Sequence, residues 1–535
     1  MIQLNQEQQQ LKEKLNTFLA SDNNGYFGVY GGGGVGKTFT LCNTITNYKR
    51  KVLFLGATNK VTTVLKNGLE SAGFKNPEIK TIDGFLKFKI KRDHENNQTI
   101  SYSFPSKSQI PPLIVIDEIS LISYSKFKLL EQLKEHCKLI LLGDYLQLPP
   151  IEEEKQNIVR NSDGFQVSRI FLEIPEENSF TLTIQNRQKE GTALFDLVSN
   201  FRKHMLSKMN PISLASKKNN GVDILYFDIH DKQLKEIIKN NNCTAVCFKN
   251  LSVLNFNWLI GSTKSMRKDY RLNEHNVGDE LMFDQFYLHK SKTHETKFYT
   301  SNIVEIIAIE KNISETFKIK DKMIKSIIYN EITVLDSDLS EQKIRYIQGG
   351  LYGANGGGLS QSVYGQRKTY IEHIKQGKNV VENKKFLSDL NTRFSDYQNS
   401  FAKLKKPYAI TCHKAQGSTY DTVIIPAYDF FMLNYLDANQ LLYVALSRAK
   451  QKIIFVNKKE QFDETSNRKL FSEFEKQSIA SAHDYKCNIC NTDLVEREFD
   501  IDHKIPISKG GKNSVENLQS LCRACHKSKS AKEKF

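Results

Sequence analysis

Eight residues constrain this chain more than any others: Gly31-Gly32-Gly33-Gly34-Val35-Gly36-Lys37-Thr38, preceded by the apolar run 27–30 and followed by a helix-forming stretch, 38–48. A strand, a glycine loop reading G-x-x-x-x-G-K-[ST] and a helix form a phosphate loop, which commits its surroundings to a parallel α/β sheet. Gly31, Gly34 and Gly36 let backbone N–H groups approach phosphates, and the helix N-terminus adds a positive dipole. Lys37 is then placed to reach the β- and γ-phosphates of ATP, and Thr38 to offer its hydroxyl to Mg²⁺.

The following strands deliver matching chemistry. The apolar run 113–116 ends in Asp117-Glu118, at the strand end where open α/β sheets place ligands. Asp117 suits the magnesium shell, and Glu118 suits polarisation of the attacking water. A further run, 138–142, ends in Gly143-Asp144-Tyr145-Leu146-Gln147-Leu148-Pro149-Pro150, where Gln147 can sense the γ-phosphate or orient water. Its distance from the acid pair matches one β-α-β step. Between 85 and 111 the pattern breaks, and the alternation Thr99 to Phe104 predicts a small inserted hairpin.

At ~150 residues per domain, 535 residues predict three or four domains. A second α/β signature covers 244–258 and resumes over 408–456. Between them, from about 277 to 406, lie short β-runs (303–309 and 331–335), a glycine cluster (349–358) and a basic segment. That segment, 361–406, holds ten Lys or Arg against four Asp or Glu, and reads either as nucleic-acid contacts or as a solvated helix face. The whole chain carries +16, which favours a polyanionic partner. Its longest apolar runs are far below the ~20 residues that cross a bilayer. Residues 1–10 lack a signal-peptide layout. The expectation is therefore no membrane, reduced thiols and a cytoplasmic location, in a bacterial or phage-infected cell.

In order, these segments resemble the RecD and Dda-type branch of superfamily 1 DNA helicases over roughly residues 4–456. Leu4-Asn5-Gln6-Glu7-Gln8 is similar to the adenine-reading Q motif, with Gln8 in the base-contacting place. Ala57-Thr58-Asn59-Lys60 and Thr81-Ile82-Asp83-Gly84 occupy the places of strand-binding motifs, with Asp83-Gly84 where relatives usually carry His-Ser. Arg187 resembles the motif IV arginine. Thr411 to Thr419 resembles motif V, with Gln416 and Gly417 as nucleotide contacts, and Tyr443 to Ala449 resembles motif VI, with Arg448. The resemblance implies Arg187 and Arg448 as arginine fingers from a second lobe and 5′ to 3′ movement on single-stranded or forked DNA. It also implies a duplex-splitting pin at 85–111, with Tyr102 or Phe104 stacking on the junction, clamped by an SH3-like insertion.

At the C-terminus, Cys487-x-x-Cys490 and Cys522-x-x-Cys525 have the spacing of a tetrahedral structural Zn²⁺ site. Asp502-His503, Gly510-Gly511, Asn517 and His526 fall between or beside them, in an order that resembles the HNH endonuclease motif and its ββα-metal fold. The resemblance implies a divalent ion held by Asp502 and His526, His503 as general base, and Asn517 orienting the catalytic loop. One such centre nicks; cutting both strands needs two modules, by dimerisation or in sequence.

The expected architecture is α/β. It comprises a RecA-like lobe 1A over 1–185, a lobe 2A over 186–276 and 407–457, and an inserted β-rich domain over 277–406. A linker helix over 458–482 and an HNH zinc module over 483–535 complete it. The expected function is an ATP-driven DNA helicase fused to an HNH nuclease, of phage or mobile-element type. Two alternatives stand beside it: a helicase whose terminal module only binds DNA, and a nucleotide-switched DNA-binding scaffold that has lost hydrolysis.

Overall fold

Uninterrupted apolar runs suit strands covered on both faces. In the computed structural model those runs lie side by side in a six-stranded, wholly parallel sheet. Its order is Ser179–Leu182, Gly25–Gly31, Lys138–Gly143, Leu113–Asp117, Val52–Gly56, Glu78–Thr81. The structure describes residues 4–46, 48–92, 98–150, 157–160, 164–188, 190–206, 224–267, 269–290, 295–319, 322–335, 339–347, 359–430, 433, 435–457, 462–463, 468–469, 471, 473–495, 497–512 and 514–533. Helices Gln6–Ala20 and Lys37–Ile45 cover one face through Leu11, Leu15, Leu41 and Ile45. Phe127, Leu130 and Leu133 cover the other.

A second parallel sheet runs Ile224–Asp228, Ala449–Asn457, Tyr420–Pro426, Cys243–Cys247, Ala409–Thr411. Helix Asn250–Ser265 packs on one face through Phe256, Leu259 and Ile260. Helices Ala193–Leu206 and Tyr435–Leu446 pack on the other. Leu146, Leu148 and Phe165, which follow the strands of the first sheet, join this last cluster. The two lobes therefore share an apolar seam, and the carboxyl ends of the first sheet face the second lobe across a cleft.

Two insertions flank that cleft. Lys89–Arg92 pairs antiparallel with Gln98–Ser101, inside the expected hairpin. Of its two candidate stacking rings, Tyr102 is half-buried against Phe88, with centroids 5.6 Å apart, whereas Phe104 is 39% exposed. Packing at the hairpin base thus commits Tyr102 and leaves Phe104. The larger insertion is a five-stranded antiparallel sheet in the order Glu341–Tyr346, Lys322–Leu335, Ile303–Ile319, Glu280–Phe283, Leu404–Lys405. The basic segment folds as two helices, Leu359–Lys375 and Val380–Asn399, whose Phe394 and Tyr397 rings pack on Phe317. The glycine cluster 349–358 lies outside the described residues.

The expected linker helix over 458–482 is shorter and less free than its charge content implies. Among the described residues the helix spans Glu473–Ala482, and Phe462–Asp463 pairs with Arg468–Lys469 ahead of it. The helix Glu473–Ala482 is glued to lobe 2A. Ser478 hydrogen-bonds Asn255, Ser481 Oγ donates to the Tyr270 carbonyl (2.7 Å), and Asn273 Nδ2 donates to the Ala482 carbonyl (2.6 Å). Ile479 joins Leu251 and Leu254 of lobe 2A with Ile501 and Leu518 of the terminal module in one apolar cluster. That module is an antiparallel pair, Phe499–His503 with Leu518–Cys522, followed by helix Arg523–Glu533. No described helix is long and apolar enough to cross a membrane.

Candidate active sites in the lobe cleft and the terminal module

The glycine loop is held from outside as well as by its own turn. Gln185 Nε2 donates to the Gly33 carbonyl (2.9 Å), and the Asn186 amide donates to the Gly34 carbonyl (2.9 Å). Gly34 has φ +90°, and a Cβ there would collide with the Arg187 side chain, so only glycine fits. Lys37 opens its helix and bonds the carbonyls of Gly31 (2.8 Å) and Gly32 (3.2 Å). Gln8 reaches the same loop. Its side chain completes a capping box with Asn5 and donates to the Val35 carbonyl (3.4 Å).

Thr38 Oγ1 lies 3.4 Å from Asp117 Oδ2, which places the hydroxyl and carboxylate expected for magnesium together. Burial and the neighbouring Glu118 push Asp117 up to about 7, against the pull of Lys37. A bound cation would reverse that penalty. Glu118 adopts a left-handed backbone, φ 53°, and its Oε2 is buried without a hydrogen-bond partner among the described residues. A buried carboxylate oxygen with an empty acceptor site is costly unless water or substrate supplies a proton.

The second lobe closes this site with guanidinium groups. A cavity of about 200 Å³ is lined by Gly33, Lys37, Asp117, Glu118, Arg187 and Arg448, with Gly417 at its edge. Arg448 is 1% exposed, and it bonds the carbonyls of Val444 (3.0 Å) and Ser418 (3.3 Å) and the Ser447 hydroxyl (2.8 Å). Arg187 donates to the Ser447 carbonyl (2.6 Å), and burial together with Arg448 lowers it to about 10. Burial and Arg448 likewise lower Lys60 to about 8. Arg187 and Arg448 thus repel each other beside the cavity, and an anion bound between them would relieve that repulsion.

Gln147 and Gln416 meet at the lobe boundary. Gln416 Nε2 donates to the Leu148 carbonyl (3.0 Å) and lies 3.5 Å from Gln147 Oε1. Gln416 lines a larger groove, of about 1070 Å³, on the far side of the seam. Gln147 Nε2 is buried without a hydrogen-bond partner among the described residues.

Sequence reasoning missed a buried ionic tie beside the cleft. Asp144, at 0% exposure, receives Arg202 Nη1 at 3.0 Å and the Tyr443 hydroxyl at 2.8 Å. Burial works against the Arg202 charge, but Asp144 outweighs it and raises the guanidinium above its ordinary value. Asp144 was visible after Gly143 at a strand end; its partner, 58 residues away, was not. Arg202→Ala leaves a fully buried carboxylate without its counter-charge and is expected to cost ~3–5 kcal/mol. Urea unfolding of wild type and variant at neutral pH measures it, and a loss below ~1 kcal/mol would contradict the tie's importance.

In the terminal module the four cysteine Sγ atoms lie within 4.8 Å of one another, and Cys490 and Cys522 are 3.8 Å apart. A tetrahedron with Zn–S bonds of ~2.3 Å has edges of ~3.8 Å, so the thiols fit that ion. Asp500 and Asp502 share one face of their strand, and His526 and Lys529 share one face of the helix packed on it. His526 Nδ1 is 3.0 Å from Asp500 Oδ2, an arrangement that orients Nε2 as a metal ligand. Asp502, the other expected ligand, instead receives Lys529 Nζ at 2.7 Å, and Lys529 also bonds the His503 carbonyl (2.8 Å). Burial raises the Asp502 carboxyl, but the hydrogen bonds from Lys529 and the His503 amide, with the nearby His526, bring it below its usual range. Among the described residues, the only cluster of three or more metal-ligating side chains is the four cysteines. An ion at Asp502 and His526 would complete its shell with water or phosphate oxygen.

Asn517 stitches the loop between the two strands. Its Oδ1 accepts from the Ile505 amide (2.8 Å), and its Nδ2 donates to the carbonyls of Ile505 (2.9 Å) and Lys512 (2.9 Å). Gly511 lies against the Ile505 carbonyl with no room for a Cβ. His503, at the end of strand Phe499–His503, faces the same edge, its ring 6.3 Å from Phe471.

Comparison with known proteins agrees with this division. Residues 18–153 match the AAA domain family, residues 406–456 the UvrD-like helicase C-terminal domain, and residues 487–532 the HNH endonuclease family. An uncharacterized protein of Acanthamoeba polyphaga mimivirus is 24% identical over 503 residues, covering 84% of this chain and 99% of that protein. The ATP-dependent DNA helicase Pif1 of Campylobacter jejuni is 23% identical over 449 residues, covering 82% and 89%. The ATP-dependent DNA helicase dda of Enterobacteria phage T4 is 23% identical over 407 residues, covering 71% and 83%.

Proposed function

We propose that this chain, a superfamily 1 helicase with a C-terminal HNH endonuclease domain, hydrolyses ATP in the lobe cleft to move 5′ to 3′ along single-stranded DNA, and nicks DNA at its terminal module. The observation that carries the motor is that Arg187 and Arg448 line the same cavity as Lys37, Asp117 and Glu118. Lys37 and the loop amides hold the phosphates, and Thr38 and Asp117 would hold Mg²⁺, which supplies charge neutralisation when bound. Glu118 accepts the proton of the attacking water. Arg187 and Arg448 stabilise charge that develops on the γ-phosphoryl group, so hydrolysis proceeds only when the lobes are closed. The polarity rests on the resemblance.

For the nuclease, His503 would take a proton from water, and Asn517 would hold the loop that presents it. Asp502 and His526 would hold a divalent ion, which supplies stabilisation of the leaving 3′ oxygen. One base and one ion site serve one strand at a time. Because helix Glu473–Ala482 is seated on lobe 2A, the nuclease travels with that lobe, and cuts should fall at a constant distance from the motor. Lys529 supports a second reading. Its ammonium occupies the cation side of Asp502, as it would in a module that only binds DNA.

A labelled forked duplex tests both halves, with wild type, Lys37→Ala and His503→Ala incubated with and without ATP. Lys37→Ala is expected to lose unwinding and keep cutting. His503→Ala is expected to keep unwinding and to cut ~10²–10⁴-fold more slowly. Undiminished cutting by His503→Ala would reject the assigned base, and a wild type that never cuts would favour the binding-only reading.

A further inference from the structure

The inserted domain turns a short hairpin toward the larger groove, and the alternation of that hairpin is unusual. Tyr287–Lys290 pairs with Glu295–Phe298, with Tyr287 opposite Phe298. Tyr287, Thr296 and Phe298 are buried, and the two rings belong to the insertion's core. The opposite face of such a hairpin is ordinarily polar. Here it carries Phe286, Lys297 and Tyr299. Phe286 is 38% exposed, and its ring lies 5.7 Å from Tyr299 at an interplanar angle of 40°. Lys297 Nζ stands over both rings, 4.8 Å from the centroid of Tyr299 and 5.8 Å from that of Phe286.

These three residues form one wall of the groove of about 1070 Å³, with Thr58 and Thr81 of lobe 1A and His413 and Lys414 of lobe 2A on its other walls. Lys126 and Lys414 are paired with Asp83 (2.7 Å) and Asp284 (2.6 Å). Lys297 has no acidic partner among the described residues. A ligand for this wall must offer flat apolar faces to the rings and negative charge to the lysine. Single-stranded nucleic acid meets both requirements, whereas a duplex keeps its base faces stacked inside.

We infer that Phe286 and Tyr299, with Lys297 beside them, form a base-stacking platform by which the inserted domain adds its own grip on single-stranded DNA in the groove it shares with the two motor lobes. This rests on the helicase reading and extends it. A strand held by the insertion while the lobes open would not slip back during the nucleotide cycle.

The full chain is titrated with a short oligodeoxythymidylate carrying a single 2-aminopurine, whose position is moved along the strand. Stacking is worth ~1–3 kcal/mol per base, so Phe286→Ala with Tyr299→Ala is expected to weaken binding about tenfold. The fluorescence quench at one register should vanish with it. Tyr299→Phe should keep both, and Phe286→Leu, which keeps the volume without the ring, should weaken binding severalfold. Lys297→Gln should flatten the dependence of log affinity on log salt by ~0.7. ATP hydrolysis without DNA should be unchanged in every variant, since none of these residues lines the nucleotide cavity. If the double variant binds within about twofold of wild type with its quench intact, the platform is wrong and the motor stands. A wild type that does not bind the oligonucleotide at all overturns the helicase reading, and the platform with it.

Discussion

Arg448→Ala is expected to slow strand-stimulated ATP hydrolysis by ~10³-fold or more, the magnitude that arginine fingers contribute to phosphoryl transfer. Nucleotide affinity should change far less, because Lys37 and the loop amides still hold the phosphates. The argument rests on position. Arg448 is anchored by Val444, Ser418 and Ser447 and lines the cavity opposite Glu118. Its guanidinium is therefore pre-aimed and loses little entropy in the transition state. Arg448→Lys should rescue only a small part, since a point charge cannot keep that forked anchoring. Steady-state hydrolysis with saturating oligonucleotide, read beside nucleotide binding by fluorescence, decides the matter. Equal losses in affinity and turnover would make Arg448 a ground-state binder instead of a finger.

Removal of zinc should have an effect of comparable size on the other activity. The module's own apolar cluster is small, essentially Tyr485, Cys487, Leu494 and Leu521 with Ala480 of the docking helix. A structural zinc contributes ~10–16 kcal/mol of binding free energy that is folding free energy, more than so few side chains supply. Chelation, or Cys522→Ser, should therefore unfold residues beyond about 485, abolish cutting and expose the module to protease. The ATPase should persist, because the sheets of both lobes are covered by clusters that contain no module residue. Limited proteolysis with metal analysis and paired ATPase and nicking assays tests this. Full nicking by protein shown to be zinc-free would refute the structural role.

Much of the site could be read along the chain because its chemistry is local. A phosphate loop needs glycines, a lysine and a helix N-terminus within eight residues, and Asp117-Glu118 declares itself by ending an apolar strand. The bond from Gln416 to the Leu148 carbonyl across the seam was not legible, because it joins residues 268 positions apart. Asp500 and Lys529 were missed because neither belongs to the motif. Their importance comes from the helix lying along the strand, which pairs Asp500 with His526 and Lys529 with Asp502. The stretch 458–482 read as a spacer because charge dominates it; the small and apolar face of Ser478, Ile479 and Ser481 found a partner in lobe 2A instead.

Strand order in the chain, glycine placement and cysteine spacing determined by themselves that this protein has a nucleotide-binding α/β core, a second α/β lobe and a tail built around four clustered cysteines. Each depends on steric and hydrogen-bonding rules acting over a few residues. Only the tertiary structure decided that Arg202 neutralises Asp144, that two outward aromatics and a lysine face a groove, and that the tail is seated on lobe 2A. Those outcomes join segments far apart in sequence, where burial and charge compensation, not local periodicity, select the partner.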